Sequence, residues 1–169
     1  LISRVQVGTL YLPMTALREQ SDMLQTIIRT ARENGTQVRF VRENLEFPTK
    51  RGKIRVLKPD LLESGNDGGL CVLASHEKYD ILITGDLSQN EEYRLLSQNE
   101  LRGIELLVAG HHGAATSTSD ALLAQTGART VILSVGADNS YGHPAEDTLR
   151  RLARAGCDIY RTDRHGTVY

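Results

Sequence analysis

The second half of the chain alternates apolar, strand-like segments with segments of helical periodicity, and this pattern strongly limits the possible folds. The predicted strands are 104–108, 130–135 and 158–161, and the predicted helices are 90–98, 119–125 and 145–155. Strands that alternate with helices form a largely parallel sheet with helices packed against it. We therefore predict an α/β fold, of the mixed α+β kind.

The first half adds further sheet material. The alternating segment 5–12 predicts a strand that Pro13 ends, and 21–34 predicts a helix capped by Ser21 or Asp22. A strand at 38–41 would complete a strand–helix–strand unit. Three more strands are predicted at 53–57, 70–74 and 79–84, the last two as a hairpin, and 166–169 is a candidate final strand. Without a linker or repeat, residues 1–169 are predicted to be a single domain.

Composition indicates an ordinary soluble globular domain. Hydrophobic residues make up 40% of the chain and charged residues 24%, and no apolar run approaches the roughly 18 residues that can span a bilayer. The net charge of −1 neither favours nor excludes nucleic-acid binding. Cys71 and Cys157 belong to no CxxC motif, so two buried thiols and a disulfide are both left open.

Polar residues follow three of the predicted strands, where open α/β folds place their sites. After the first of these strands, Gly85 is followed by Asp86. The carboxylate of Asp86 could bridge two divalent ions through its two oxygens. The alternative is that Asp86 caps the next helix or is a turn residue, because a strand followed by Gly-Asp is a common pattern.

The second strand ends in Gly-His-His-Gly at 110–113. Adjacent side chains point in different directions, so one of His111 and His112 could bind a metal while the other orients it or contacts substrate. A structural role for the pair is the alternative.

The third strand leads into a loop with Asn139, Tyr141 and His143, and a helix is predicted to open at Pro144. A helix N-terminus beside a histidine suits an anion such as phosphate. The alternative is that Asn139 and His143 only hold the loop by hydrogen bonds.

These residues are fewer than a two-metal hydrolase normally uses. His76 is expected at an exposed hairpin tip and His165 in a structural turn, and the chain contains no HxHxDH sequence.

The ordered set of motifs resembles the C-terminal metallo-β-lactamase-like domain of the ComEC family of DNA internalisation proteins. The motifs are Leu-Ile-Thr-Gly-Asp at 82–86, Gly-His-His-Gly at 110–113, Ser-Val-Gly at 134–136, Tyr-Gly-His-Pro at 141–144 and Arg-Thr-Asp at 161–163. The resemblance is specific over about 66–169 and loose before that. It implies an αββα sandwich, present here as a partial one in which the N-terminal half with the first metal motif is missing.

The resemblance also implies hydrolysis of a DNA phosphodiester by water activated between two divalent ions, zinc or manganese. Asp86 would bridge the metals, one of His111 and His112 would be a ligand, and His143 would approach the scissile phosphate. The same resemblance places Asn66, Asn139 and Tyr141 at substrate-binding positions.

The family further implies partners and a location. The substrate would be DNA, single-stranded, and the domain would belong to a membrane-embedded uptake protein, outside the bilayer on the extracytoplasmic side. The missing motif is explained either by truncation, which we favour, or by loss. In both cases this chain alone is expected to be inactive and to self-associate through exposed strand edges.

Two other functions are compatible with the sequence. One is hydrolysis of small phosphodiesters or lactones by another member of the same superfamily. The other is a non-catalytic domain that binds DNA or a partner, for which the arginines at 150, 151 and 154 offer a basic patch. Glu146 and Asp147 close by favour a solvated helix face instead.

Overall fold

The computed structural model describes residues 2–58 and 68–168. In these residues the strands are β1 Thr9–Pro13, β2 Gln37–Val41, β3 Leu45–Pro48, β4 Gly52–Leu57, β5 Cys71–His76, β6 Tyr79–Ile83, β7 Leu106–Val108, β8 Thr130–Leu133 and β9 Asp158–Arg161. The helices are α1 Asp22–Glu33, α2 Gln89–Gln98, α3 Asp120–Thr126, α4 Glu146–Arg154 and the single turn α5 Thr162–His165. Short 3₁₀ turns lie at Met14–Leu17 and Gly110–Gly113. The predicted mixed α/β class is confirmed.

Seven strands form the main sheet, in the spatial order β3-β4-β5-β6-β7-β8-β9. The pairs from β3 to β6 are antiparallel, and those from β6 to β9 are parallel. The predicted hairpin is β5–β6. Because β6 to β9 run in one direction, their carboxyl ends lie along one edge of the sheet, and the loops that leave this edge carry most of the candidate site residues.

The main core lies around the parallel strands. Leu82, Leu107 and Val131 on neighbouring strands are completely buried, and Leu95, Leu122 and Leu152 cover them from helices α2, α3 and α4. Burial of each such side chain contributes about 1.5–3 kcal/mol to stability. The carboxyl edge of the sheet is therefore anchored on a continuous apolar layer.

A second, smaller unit occupies the start of the chain. β1 and β2 pair in parallel as a two-stranded sheet, and α1 connects them, which confirms the predicted strand–helix–strand unit. Ser21 caps α1 by accepting a hydrogen bond from the backbone N–H of Leu24. A separate cluster of Ala16, Leu24 and Ile28, with Leu12, Val38 and Phe40 packed against it, forms its core.

In the part of the chain that the structure describes, few contacts join this unit to the main sheet and to the residues just before β5. The Tyr11 ring lies 5.4 Å from the Phe47 ring of β3, centroid to centroid. The Thr15 hydroxyl donates a hydrogen bond of 3.2 Å to the carbonyl oxygen of Gly68.

The structure corrects the sequence-based prediction near the C-terminus. Residues 166–168 form no strand, and Tyr169 lies outside the described residues. Helix α4 begins at Glu146 rather than at Pro144, because Ala145 is extended and its N–H donates to the carbonyl oxygen of Gly113. Strand β3 was not predicted, and it is defined by its antiparallel pairing with β4.

The two cysteines are free thiols. Cys71 bonds to the carbonyl oxygen of Thr84, and Cys157 bonds to that of Ala128. The disulfide alternative is therefore wrong.

In the part of the chain that the structure describes, no helix combines the length and apolar character needed to cross a bilayer.

Candidate functional site

The loops that follow β6 and β7 are joined at the carboxyl edge of the sheet. In the sheet Ile83 pairs with Val108, and beyond it the N–H of His111 donates a 2.9 Å hydrogen bond to the carbonyl oxygen of Gly85. Asp86, the next residue after Gly85, is exposed. The structure thus places the Gly-Asp and Gly-His-His-Gly motifs side by side, as their positions after adjacent strands predicted.

The two adjacent histidines adopt an unusual backbone conformation. His111 has φ 47° and His112 has φ 56°, both in the left-handed region that few non-glycine residues enter. Such conformations persist only where the surroundings hold them, and they concentrate at functional sites. The resulting turn separates the two rings, whose centroids lie 6.3 Å apart.

The turn is held by a loop that follows it. The N–H of Gly110 donates to the Thr118 hydroxyl at 3.1 Å, and the Ser117 hydroxyl donates to the Gly110 carbonyl at 2.7 Å. A Cβ on Gly110 would lie 3.1 Å from the Thr84 hydroxyl and 3.2 Å from Ser117, so the backbone passes very close to both. This fit makes glycine the suitable residue at position 110.

The loop that holds the turn is itself clamped by two charged side chains. Glu92 of α2 is buried, and its carboxylate accepts hydrogen bonds of 2.6 and 2.7 Å from the N–H groups of Thr118 and Ser119. Arg151 of α4 donates to the carbonyl oxygens of Ala115, Ser117 and Thr118. Sequence reasoning missed Glu92, because a glutamate on a polar helix is normally solvated, and it considered Arg151 only as part of a basic patch.

His112 has a fixed ring. Its Nδ1 lies 2.7 Å from the carbonyl oxygen of Ser134, which can only accept a hydrogen bond. The proton is therefore assigned to Nδ1, and the lone pair of Nε2 is left free. A backbone carbonyl on one ring nitrogen is the usual support for a histidine whose other nitrogen binds a metal.

His143 joins the two histidines from the loop after β8. Its ring centroid lies 5.6 Å from that of His111, nearly edge to face. Its Nδ1 is buried and has no hydrogen-bond partner among the described residues. Burial, together with the neighbouring His111 and His112 rings, lowers the pKa of His143, which favours its neutral form.

Asn139 shapes this loop. Its side-chain amide donates to the carbonyl oxygens of His143 and Gly136 at 2.7 and 3.1 Å, and its Oδ1 accepts from the N–H of His143 at 3.0 Å. These bonds match the loop-holding interpretation. A substrate contact by Asn139 stays a prediction.

A small cavity of about 190 Å³ opens beside these residues. It is lined by His112, Val135, Gly136, Asn139, Tyr141 and His143. Pockets that enclose a whole small ligand usually start near 300 Å³, so this one has room for part of a larger ligand. Apart from His111, the cavity thus gathers the predicted residues of the second and third motifs.

The metal-ligand set is incomplete in the described residues. Within 2–58 and 68–168, no group of three or more His, Cys, Asp or Glu side chains is placed to hold a metal ion. The residues present therefore do not by themselves fit the two-metal site that the resemblance implies. Asn66 lies outside the described residues, and His76 is exposed at the end of β5, as expected.

The arginine patch on α4 is engaged in other contacts. Arg150 pairs with Glu146 at 3.3 Å and Arg154 with Asp120 at 3.2 Å. Arg151 is in turn bound to loop carbonyls, so all three guanidinium groups already have partners within the chain, which agrees with the interpretation of this helix face as solvated.

Comparison with known proteins gives one consistent group of relatives. The chain is 28% identical to ComE operon protein 3 of Bacillus subtilis over 99% of its length, 34% identical to competence protein ComA of Neisseria gonorrhoeae over 52%, and 30% identical to recombination protein 2 of Haemophilus influenzae over 68%. It spans only 22%, 13% and 14% of these proteins, respectively. No family model matches the sequence.

A solved structure shares the fold. A Parabacteroides distasonis protein assigned as a metal-dependent hydrolase aligns with 96% of this chain and 79% of its own, with a TM-score of 0.52 and 8% identity. At this identity the likeness shows the fold alone.

Proposed function

This chain is a ComEC-like metallo-β-lactamase domain, and from that premise we propose that it is part of a metal-dependent phosphodiesterase that degrades a DNA strand during uptake. The observation that carries the proposal is the group of His111, His112 and His143 at the carboxyl edge of the sheet, beside the loop that bears Asp86. Parallel α/β sheets bind their substrates at this edge. A competence-related role agrees with the name of one relative, competence protein ComA of Neisseria gonorrhoeae.

We assign His112 and Asp86 as metal ligands. His112 would offer its Nε2, because the Ser134 carbonyl occupies its Nδ1, and Asp86 would offer an exposed carboxylate. Zinc or manganese would suit this mixture of imidazole and carboxylate. Further ligands would have to come from outside the described residues 2–58 and 68–168, and the relatives extend far beyond the segment that this chain matches.

The other residues act on the phosphate. His143 can donate one N–H hydrogen bond to a phosphate oxygen from the loop after β8. His111, whose ring lies against that of His143, would contact the same group. The whole protein is proposed to lie in the membrane, with this domain on the extracytoplasmic side and DNA as its partner.

The test is metal-dependent cleavage of single-stranded DNA by a protein extended N-terminally into the sequence that precedes this chain. We expect cleavage with manganese or zinc by the extended protein and none by the chain alone. Asp86→Ala should lower kcat by at least about 100-fold without changing the thermal unfolding midpoint, since the side chain is exposed. Asp120→Ala, which removes an exposed carboxylate on α3, is the matched control and should retain activity.

An Asp86→Ala variant that cuts as well as the parent would contradict the metal-ligand role.

One specific observation supports a second function, namely the incomplete donor set within the described residues. A non-catalytic DNA-binding domain would show strand binding without cleavage in both the extended and the short protein.

A further inference from the structure

Tyr141 is the most exposed large aromatic side chain among the described residues. It is 82% exposed, on the loop between β8 and α4. One face of its ring lies nearly parallel to the His143 ring, with centroids 6.0 Å apart and an interplanar angle of 15°. The ring therefore makes no contribution to the core, and its second face is open to solvent.

The backbone that carries this ring is held by hydrogen bonds within the loop. Asn139 ties the loop closed through its bonds to His143 and Gly136. Gly142, with φ 71°, supplies the turn between Tyr141 and His143. The two rings thus form a short stack whose inner member contacts His111.

We propose that the open face of Tyr141 is a stacking platform for one unpaired nucleobase of the DNA strand, with the adjoining phosphate directed toward His143 and His111. The inference rests on the proposed function, for which it names the form of the substrate. A base on Tyr141 would be the third ring of the stack, and the cavity beside it has room for only part of a nucleotide.

The preference for a single strand follows from the geometry of stacking. A base in a duplex has both faces covered by its neighbours, whereas a base in a single strand can lie on an aromatic ring at little cost. Stacking on an aromatic side chain accepts any base, so the platform would select unpaired DNA without selecting its sequence. This suits an enzyme that degrades a strand of arbitrary sequence.

The test is the affinity of the full chain for fluorescein-labelled oligonucleotides, measured by anisotropy in EDTA so that no cleavage occurs. Tyr141→Leu should weaken binding of a single-stranded 12-mer about tenfold, while Tyr141→Phe should stay within about twofold. Tyr93→Leu removes another exposed tyrosine, on α2, and serves as the matched control with unchanged affinity.

An oligonucleotide with abasic sites separates stacking from other effects. On the abasic strand, the parent and Tyr141→Leu should bind equally, because there is no base to stack. Equal losses on both strands, no loss on the intact strand, or no binding of single-stranded DNA by the parent would each overturn the platform.

The same measurements distinguish the platform from the hydrolase. If the extended protein does not cleave but the Tyr141 effect persists on intact DNA, the hydrolase proposal fails and the platform stands. If the extended protein cleaves and Tyr141→Leu leaves its KM unchanged, the platform fails and the hydrolase stands.

Discussion

Glu92→Ala is expected to destabilise the protein by about 3–5 kcal/mol, a large fraction of the stability of a small domain. The carboxylate of Glu92 satisfies the buried N–H groups of Thr118 and Ser119. Its removal leaves both donors without a partner and opens a cavity between α2 and α3. The loss would be measured as the free energy of unfolding in urea. Glu100→Ala, at an exposed site, is the control and should change it by less than about 0.5 kcal/mol.

The same residue makes stability depend on pH. Burial raises the pKa of Glu92, against the opposing effects of its bonds to Ser119 and Thr118 and of Arg151. The protonated form is therefore favoured in the folded state more than in the unfolded state. Stability from this group is complete below its unfolded pKa of about 4.3 and declines as pH rises through the higher folded pKa.

Glu92→Gln removes this titration. The free energy of unfolding of the unsubstituted protein, minus that of Glu92→Gln, should accordingly be largest near pH 4 and should shrink as the pH rises. If this difference instead grows with pH, the two backbone hydrogen bonds and Arg151 lower the pKa of Glu92 by more than burial raises it.

Gly113→Ala is expected to cost about 2–4 kcal/mol and to displace His143. A Cβ at this position would lie 2.7 Å from both Leu133 Cδ2 and Pro144 Cβ, and the backbone has φ 84°. The cost combines left-handed strain with overpacking. Because Pro144 follows His143 directly, relief of the clash would move the histidine. Oligonucleotide affinity should fall together with the free energy of unfolding.

A second glycine isolates the steric part of this effect. Gly127 ends α3 with φ 64° and has open space where a Cβ would be. Gly127→Ala therefore measures the backbone strain alone, about 1–2 kcal/mol, and should leave DNA affinity unchanged. If both variants lose the same free energy of unfolding, the side chains around Gly113 move to admit the new Cβ at no measurable cost.

The sequence predicted most of the sheet because its signals are local. Apolar, β-branched runs such as 130–133 and capped helices such as 22–33 carry their own patterns. Strand β3 was not predicted, since it is defined by its pairing with β4 rather than by periodicity. The turn expected around His165 is present as α5, and Arg161 at the end of β9 pairs with Asp163 within it. The strand expected after this turn, at 166–169, does not form in the described residues 166–168.

The site was predicted in part for a similar reason. Glycines that follow apolar strands marked the strand ends, and Asp86, His111 and His143 were predicted to lie at one edge because parallel strands bring their carboxyl ends together. What holds them could not be read from the sequence. The left-handed pair at 111–112 depends on Ser117 and Thr118, and these depend on Glu92 and Arg151, which lie far from them in sequence.

Because the apolar residues are divided into two clusters, we expect the molecule to open in two stages rather than as a single unit. Residues 9–41 enclose the smaller core, and within the described ranges they meet the main sheet through few contacts, such as the Tyr11–Phe47 ring pair. Segments with little buried apolar area open at lower free energy than the global transition. Amide protons of β1 and β2 should therefore exchange with solvent while those of β6 to β8 stay protected. The sheet edge that carries the histidines would thus stay folded while β1 and β2 open transiently.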